Sequence, residues 1–185
     1  MANYLETANM ILNDHFKEMF CVLSAQNVKF MLVGGYAFAA YGRPRATLDI
    51  DFFVEASPEN AEATYKALAE FGAPLETLKI TKSDLASEGT IVQLGVQPNR
   101  IDIINKINGV DFADAYQRSR MEKIDGFPVR VISLEDLYVN KKSTGRDKDL
   151  GDIKTLEYLL KIKKPAAKPA KQRKTVKPIK QNKTK

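Results

Sequence analysis

The chain has 185 residues, 44% of them hydrophobic, and a single cysteine. That is enough for one domain with a real core, and it excludes a disulfide within the chain. The formal charge of +6 is unevenly placed: eleven of the 29 basic residues and none of the 23 acidic ones fall between 161 and 185, so the body is mildly acidic and the end strongly basic. No apolar run is long enough to span a bilayer, and no basic segment leads into an apolar one at the start, so the expectation is no membrane segment and a cytoplasmic location.

Residues 1–26 carry Leu5, Ala8, Leu12, Phe16, Met19, Phe20 and Leu23 at steps of three and four, which predicts an amphipathic helix with one buried face. Cys21 lies in this stretch and is expected to be a small buried hydrophobe, with His15 on the helix surface. Lys29 to Val33 reads as a short buried strand stopped by Gly34-Gly35, and Tyr36 to Tyr41 as a short helix closed by Gly42 and Pro44. Leu48 to Val54 is rich in β-formers and predicts a second strand. Ser57-Pro58-Glu59 is a helix start, with a capping hydroxyl, a proline in the first turn and an acid behind it; that helix should run to about Phe71.

Residues 73–89 are weakly patterned and are expected to be irregular, with room for a short strand. Thr90 to Val96 and Arg100 to Asn105 predict two strands around Gln97-Pro98-Asn99. Asp111 to Arg118 should be helical. Met121 to Ile124 and Pro128 to Ile132 flank Asp125-Gly126, a hairpin signal, because both turn positions need positive φ. Ser133, with Glu135 and Asp136 behind it, opens another helix, and Asp147 to Lys163 makes the last. The expected organisation is a domain over 1–164 followed by a disordered basic tail over 165–185, where Lys alternates with Pro, Ala, Gln and Thr. Such a tail is either a solubilising segment or an electrostatic arm for the phosphates of tRNA or another nucleic acid.

The chemically informative stretch is Phe30 to Val54. On a strand Asp49 and Asp51 point to one face and Ile50 and Phe52 to the other. Two carboxylates this close repel unless one is protonated or a cation bridges them, and an oxygen-only set favours Mg²⁺ or Mn²⁺. Alone, the pair has a plain alternative as two solvated acids. Gly34-Gly35 sits at a strand-to-helix junction, where bare backbone can approach phosphate oxygens. Arg43 and Arg45 lie between the glycines and the acids, near enough for one of them to neutralise a triphosphate. Asp102, in Arg100-Ile-Asp-Ile-Ile104, supplies a third acid that is costly in an apolar strand unless ligated or paired. A salt bridge to Arg100 is its other reading, and the two can coexist.

Gly-Gly, a short helix, a basic stretch, Thr47-Leu-Asp-Ile-Asp51 and a third Asp on a later strand together resemble the DNA polymerase beta-type nucleotidyltransferase superfamily. More narrowly, they resemble the small nucleotidyltransferases of the abortive-infection toxin type (AbiEii-like). Pro98 to Ile104, Asp125 to Ser133 and Lys141 to Asp152 extend the likeness over residues 25–160. The resemblance implies an α+β fold, a minimal nucleotidyltransferase fold with a mixed central sheet flanked by helices. It implies that Asp49, Asp51 and Asp102 bind the metals and carry catalysis, that Gly34 and Gly35 contact nucleotide phosphates, and that Lys141 faces the nucleotide from a helix. Tyr36 departs from the family's frequent serine after the glycines, so a small hydroxyl near the phosphates is missing.

The implied reaction is NMP transfer from a nucleoside triphosphate to an acceptor hydroxyl. An RNA 3′ end (a toxin-like activity), a protein hydroxyl and a small molecule, as in antibiotic adenylyltransferases, stand as acceptors. A non-catalytic nucleotide- or RNA-binding module with a protein partner, built on the same scaffold, is the alternative of another class.

Overall fold

The computed structural model describes residues 12–43 and 46–163. The start of the first predicted helix, Arg45 and the basic segment expected to be disordered lie outside the described residues. Seven α-helices and six strands follow the order α1 (Asp14–Ala25), β1 (Phe30–Val33), α2 (Gly34–Ala40), β2 (Asp49–Val54), α3 (Pro58–Glu70), α4 (Lys82–Ala86), β3 (Ile91–Leu94), β4 (Arg100–Ile104), α5 (Phe112–Arg118), β5 (Arg120–Ile124), β6 (Phe127–Val131), α6 (Leu134–Thr144) and α7 (Leu150–Lys163) among these residues. The fold is α+β, as expected. None of the described helices is long and apolar enough to cross a membrane.

The strands form one mixed sheet in the order β3-β4-β2-β1-β6-β5. β1 runs antiparallel to β2 and parallel to β6, and β2 runs parallel to β4. This register decides the site. Asp49 stands opposite Arg100 and Asp51 opposite Asp102, while Gln93 of β3 stands opposite Asp102 from the other side. Residues paired across neighbouring strands share a face, so the three acids, Arg100 and Gln93 emerge together.

The opposite face explains why the strand is held so firmly. Phe52 packs edge-on against Phe20 of α1 at 4.9 Å and against Phe30 of β1 at 5.7 Å. Phe16, Met19, Phe20, Val22 and Leu23 of α1 are buried, with Asn13 capping the helix by accepting from the Phe16 amide at 2.8 Å. Asn60, buried at the start of α3, accepts from the Lys29 amide and donates to the carbonyls of Lys29 and Glu55. It therefore ties α3 to the edges of β1 and β2. On the acid face, apolar packing resumes two residues beyond Asp51, where Phe53 meets Phe112 of α5 at 5.0 Å.

Three local expectations are corrected. Residues 73–89 hold no strand; they contain α4, started by a capping box in which Thr81 and Asp84 bond each other's backbone. That signal is present in Thr81-Lys-Ser-Asp84 and is masked by the lack of an apolar period. The helix after β1 begins at Gly34 rather than Tyr36, so the glycines open it rather than precede it. Cys21 is exposed, not buried, because the buried stripe of α1 steps over it from Phe20 to Val22 and Leu23. His15 is exposed, as expected. The hairpin forms where predicted, with Asp125 at φ 47° and Gly126 at φ 89°.

Candidate active site

A cleft of about 550 Å³ opens over the acid face of the sheet. Its floor is the end of β1, the start of α2 and the N-terminal halves of β2 and β4, and α6 forms a wall. Asp49, Asp51, Asp102, Gly34, Gly35 and Lys141 all line it. The structure thus brings together six of the eight residues singled out in the sequence. Arg43 is exposed on the segment after α2 and is not among the lining residues, and Arg45 lies outside the described residues.

The glycines are required by what lies above them. Gly34 adopts φ +64°, and a Cβ there would overlap the Asp51 carboxylate; a Cβ on Gly35 would come within 2.5 Å of the Thr47 hydroxyl. Bare backbone is therefore what lets Asp51 and Thr47 seat against the start of α2. Thr47 in turn donates to the Asp49 carboxylate at 3.1 Å and to the Asp49 carbonyl at 3.2 Å, which fixes the first acid. Tyr36 points away from this floor: its ring packs edge-on to Phe16 of α1 at 5.6 Å, and burial raises its phenol above the usual range.

The three carboxylates are not equivalent. Arg100 donates from Nε and Nη2 to the two oxygens of Asp102 at 2.8 and 3.0 Å, and Nη2 also bonds Asp49. Gln93 adds longer contacts to both Asp102 oxygens at 3.3 Å. The salt bridge forms, on the face of the sheet that the three acids share. Asp51 lies beside Asp102, and its carboxyl is pushed up to about 7 by burial first, then by the charges of Asp49 and Asp102, against the weaker pull of Lys141 and Arg100. Burial beside two other acids thus drives this carboxyl toward its neutral form. As placed, with Arg100 between the outer two, no three acidic, histidine or cysteine side chains among the described residues converge on a single ion position.

Lys141 is not solvated. It is 3% exposed and pairs with Asp149 at 2.7 Å and Asp152 at 3.0 Å, both buried. Burial opposes ionisation of Asp149, yet hydrogen bonds from Lys141 and Arg146 hold it below the usual carboxylate range. The late motif is thus a buried network that fixes the α6–α7 corner and sets one cation in the cleft wall. Sequence reasoning missed Thr47, Gln93 and the basic residues that do line the cleft, namely Arg100 as an active contributor, Lys106 and Arg146. Arg100 was legible only as a salt-bridge partner, and Thr47 only from its place two residues before an acid.

The chain belongs to a family described as nucleotidyl transferase of unknown function (DUF2204), whose model matches residues 12–185. Among solved structures it is similar to the lincosamide antibiotic adenylyltransferase LnuA in its lincomycin-bound form. That similarity has a TM-score of 0.51 and 16% identity, covering 80% of this chain and 98% of that one. A Thermotoga maritima protein described as a nucleotidyltransferase (TM1012) aligns with a TM-score of 0.49 and 18% identity over 83% of this chain and 95% of the other. At 16% identity the property shared with LnuA is the fold. No curated protein matches the chain in sequence.

Proposed function

We propose that the protein transfers an NMP from a nucleoside triphosphate to an acceptor hydroxyl, with Asp49, Asp51 and Asp102 as the ligands of Mg²⁺ or Mn²⁺. The observation that carries this reading is the register: Asp51 beside Asp102, Asp49 two residues earlier, and Gly34 directly beneath Asp51, all lining one cleft. The oxygen-only donor set and the upward push on Asp51 fit a hard divalent ion. Such ions, when bound, neutralise phosphate charge and lower the pKa of an attacking hydroxyl.

The remaining roles belong to the chain. The acceptor oxygen attacks the α-phosphorus, the bond from that phosphorus to the bridging oxygen breaks, and pyrophosphate leaves. Gly34 and Gly35 give the triphosphate close access to backbone at the start of α2, which no side chain caps. Lys141 and Arg146, both paired with Asp149, line the α6 side of the cleft, and Arg146, half exposed, is the cation there that can reach a phosphate. Asp102 is the proposed proton acceptor, because it borders the β3 side, where Ile91 is 55% exposed in the cleft and an acceptor can approach. An RNA 3′ end, in a toxin-like activity, is the proposed acceptor; the lysine-rich residues 161–185 support it, since they would gather a polyanion. A small-molecule hydroxyl is the competing acceptor, with the fold shared with LnuA in its favour.

The test is incubation with Mg²⁺, each labelled triphosphate, and either total tRNA or a panel of small hydroxyl compounds, beside Asp49→Ala and Asp51→Ala. Label transferred by the parent protein alone supports the assignment; transfer that survives both substitutions removes it. A second reading, a non-catalytic nucleotide-binding module with a protein partner, is favoured by one observation: Arg100 already neutralises two of the three acids. Nucleotide binding without transfer to any acceptor selects that reading.

A further inference from the structure

Arg100 stands where a divalent ion would otherwise be needed. Its guanidinium makes a bidentate pair with Asp102 and reaches across to Asp49, joining acids on two different strands. The pairing is shielded: the Asp102 side chain is 7% exposed, and those of Arg100 and Asp49 about a quarter. Asp51, between them, has no hydrogen bond from Arg100 among those described. A planar guanidinium thus satisfies the two outer acids by directional hydrogen bonds and leaves the middle one to charge alone. A divalent ion shared by Asp49, Asp51 and Asp102 would compete with the guanidinium for carboxylate oxygens that it already engages on two of the three acids.

We propose that Arg100 is a built-in counter-cation that closes the acid cluster until nucleotide and metal arrive together, and that it then moves onto the nucleotide phosphates. This rests on the metal-site reading above. Arg100 begins β4 and lines the cleft in company with Gly34, Gly35 and Lys141, so a triphosphate in that cleft offers it new anionic partners of the bidentate kind it has now. Metal alone must displace the guanidinium without giving it another acceptor; metal with nucleotide replaces what it removes. The outcome is positive coupling: the free ion binds weakly, the ion with a triphosphate binds tightly, and each raises the affinity of the other by the same factor. The bare protein is thereby kept from holding a divalent ion, with its activated water, in an empty cleft.

The experiment measures Mn²⁺ binding calorimetrically, with and without a non-hydrolysable triphosphate, in the full chain and in Arg100→Gln and Arg100→Lys. No transfer activity is needed. Loss of the guanidinium should tighten Mn²⁺ binding without nucleotide by about tenfold, weaken nucleotide binding, and reduce the coupling between them toward unity. Arg100→Lys, which keeps the charge and loses the fork, should fall between the two and guards against a folding failure in the glutamine variant. Equal Mn²⁺ affinity in all three proteins, abolished in each by Asp51→Asn, overturns the counter-cation role and leaves the metal site standing. Absence of Mn²⁺ binding in every protein, with or without nucleotide, overturns the metal-site reading and the Arg100 role with it.

Discussion

Asp51→Asn should make the metal-free protein more stable at pH 8 while destroying its activity. In the folded chain the Asp51 carboxyl titrates at about 7, against 3.8 for the free group, because it is buried and faces Asp49 and Asp102. Between those values the folded state holds a proton that the unfolded state has released, so stability falls as pH rises from about 4 to about 7 and is flat above that. A rise of about 3 pH units sets a ceiling of about 4 kcal/mol on this cost at pH 8. Solvent enters the cleft and screens these charges, so about 2 kcal/mol is the expected effect.

Asparagine keeps the shape and carries no charge, so it escapes this cost. In EDTA at pH 8 its unfolding midpoint should rise by roughly 4–8 °C over the parent, and the gap should close to about 1–2 °C at pH 4.5, where Asp51 is protonated in the folded state and the pH lies less than one unit above the free value of 3.8, so that only a small part of the cost has developed. Saturating Mg²⁺ should raise the midpoint of the parent and leave the asparagine variant nearly unchanged. The assay is thermal unfolding across pH with and without the ion. An asparagine variant no more stable than the parent at pH 8, or a gap that does not depend on pH, would show that the three acids do not strain one another and would refute the electrostatic argument.

Gly34→Ala should cost about 2–4 kcal/mol and abolish Mn²⁺ binding, since its methyl would occupy the Asp51 carboxylate and φ is +64°. Gly42→Ala, at φ +73° with open space around it, should cost only about 1–2 kcal/mol and leave binding intact; denaturant unfolding and calorimetry separate the two. Lys141→Met should cost about 3–5 kcal/mol by leaving buried Asp149 and Asp152 short of a cation, and adding Asp149→Asn should restore part of it. Cys21, exposed on α1, should be alkylated by iodoacetamide without denaturant, with no loss of secondary structure by circular dichroism.

What the sequence made legible follows from which signals are local. Strand alternation placed Asp49 and Asp51 on one face, and the cap at Ser57 and the turn at Asp125-Gly126 marked element boundaries, because each depends on residues a few positions apart. The register of β2 against β4 is nonlocal. Nothing within either strand states that Asp51 meets Asp102 rather than Arg100, so the convergence rested on resemblance. Arg43 was favoured for its closeness in sequence to the acids, whereas the arginine that touches them comes from β4, 51 residues after Asp49. Lys141 could be placed on a helix, but its burial depends on the turn into α7 returning Asp149 and Asp152 to it. Cys21 was misplaced because overall hydrophobicity outweighed its position on the helix.

The region around Asp51 sets local stability against site chemistry. On one side of β2 the fold does everything that lowers its free energy: Phe52 lies among aromatic rings and Asn60 satisfies three backbone groups. On the other side, within one residue, it buries a carboxyl between two more and clears the space beneath with a left-handed glycine. A chain optimised for stability alone would place a neutral side chain at 51. The firm side is what permits the strained one, because a strand locked by its apolar face can hold like charges together. Arg100 makes the arrangement tolerable by pairing with Asp49 and Asp102, and on the proposed reading the residue that steadies the protein is also the one that yields when the site fills.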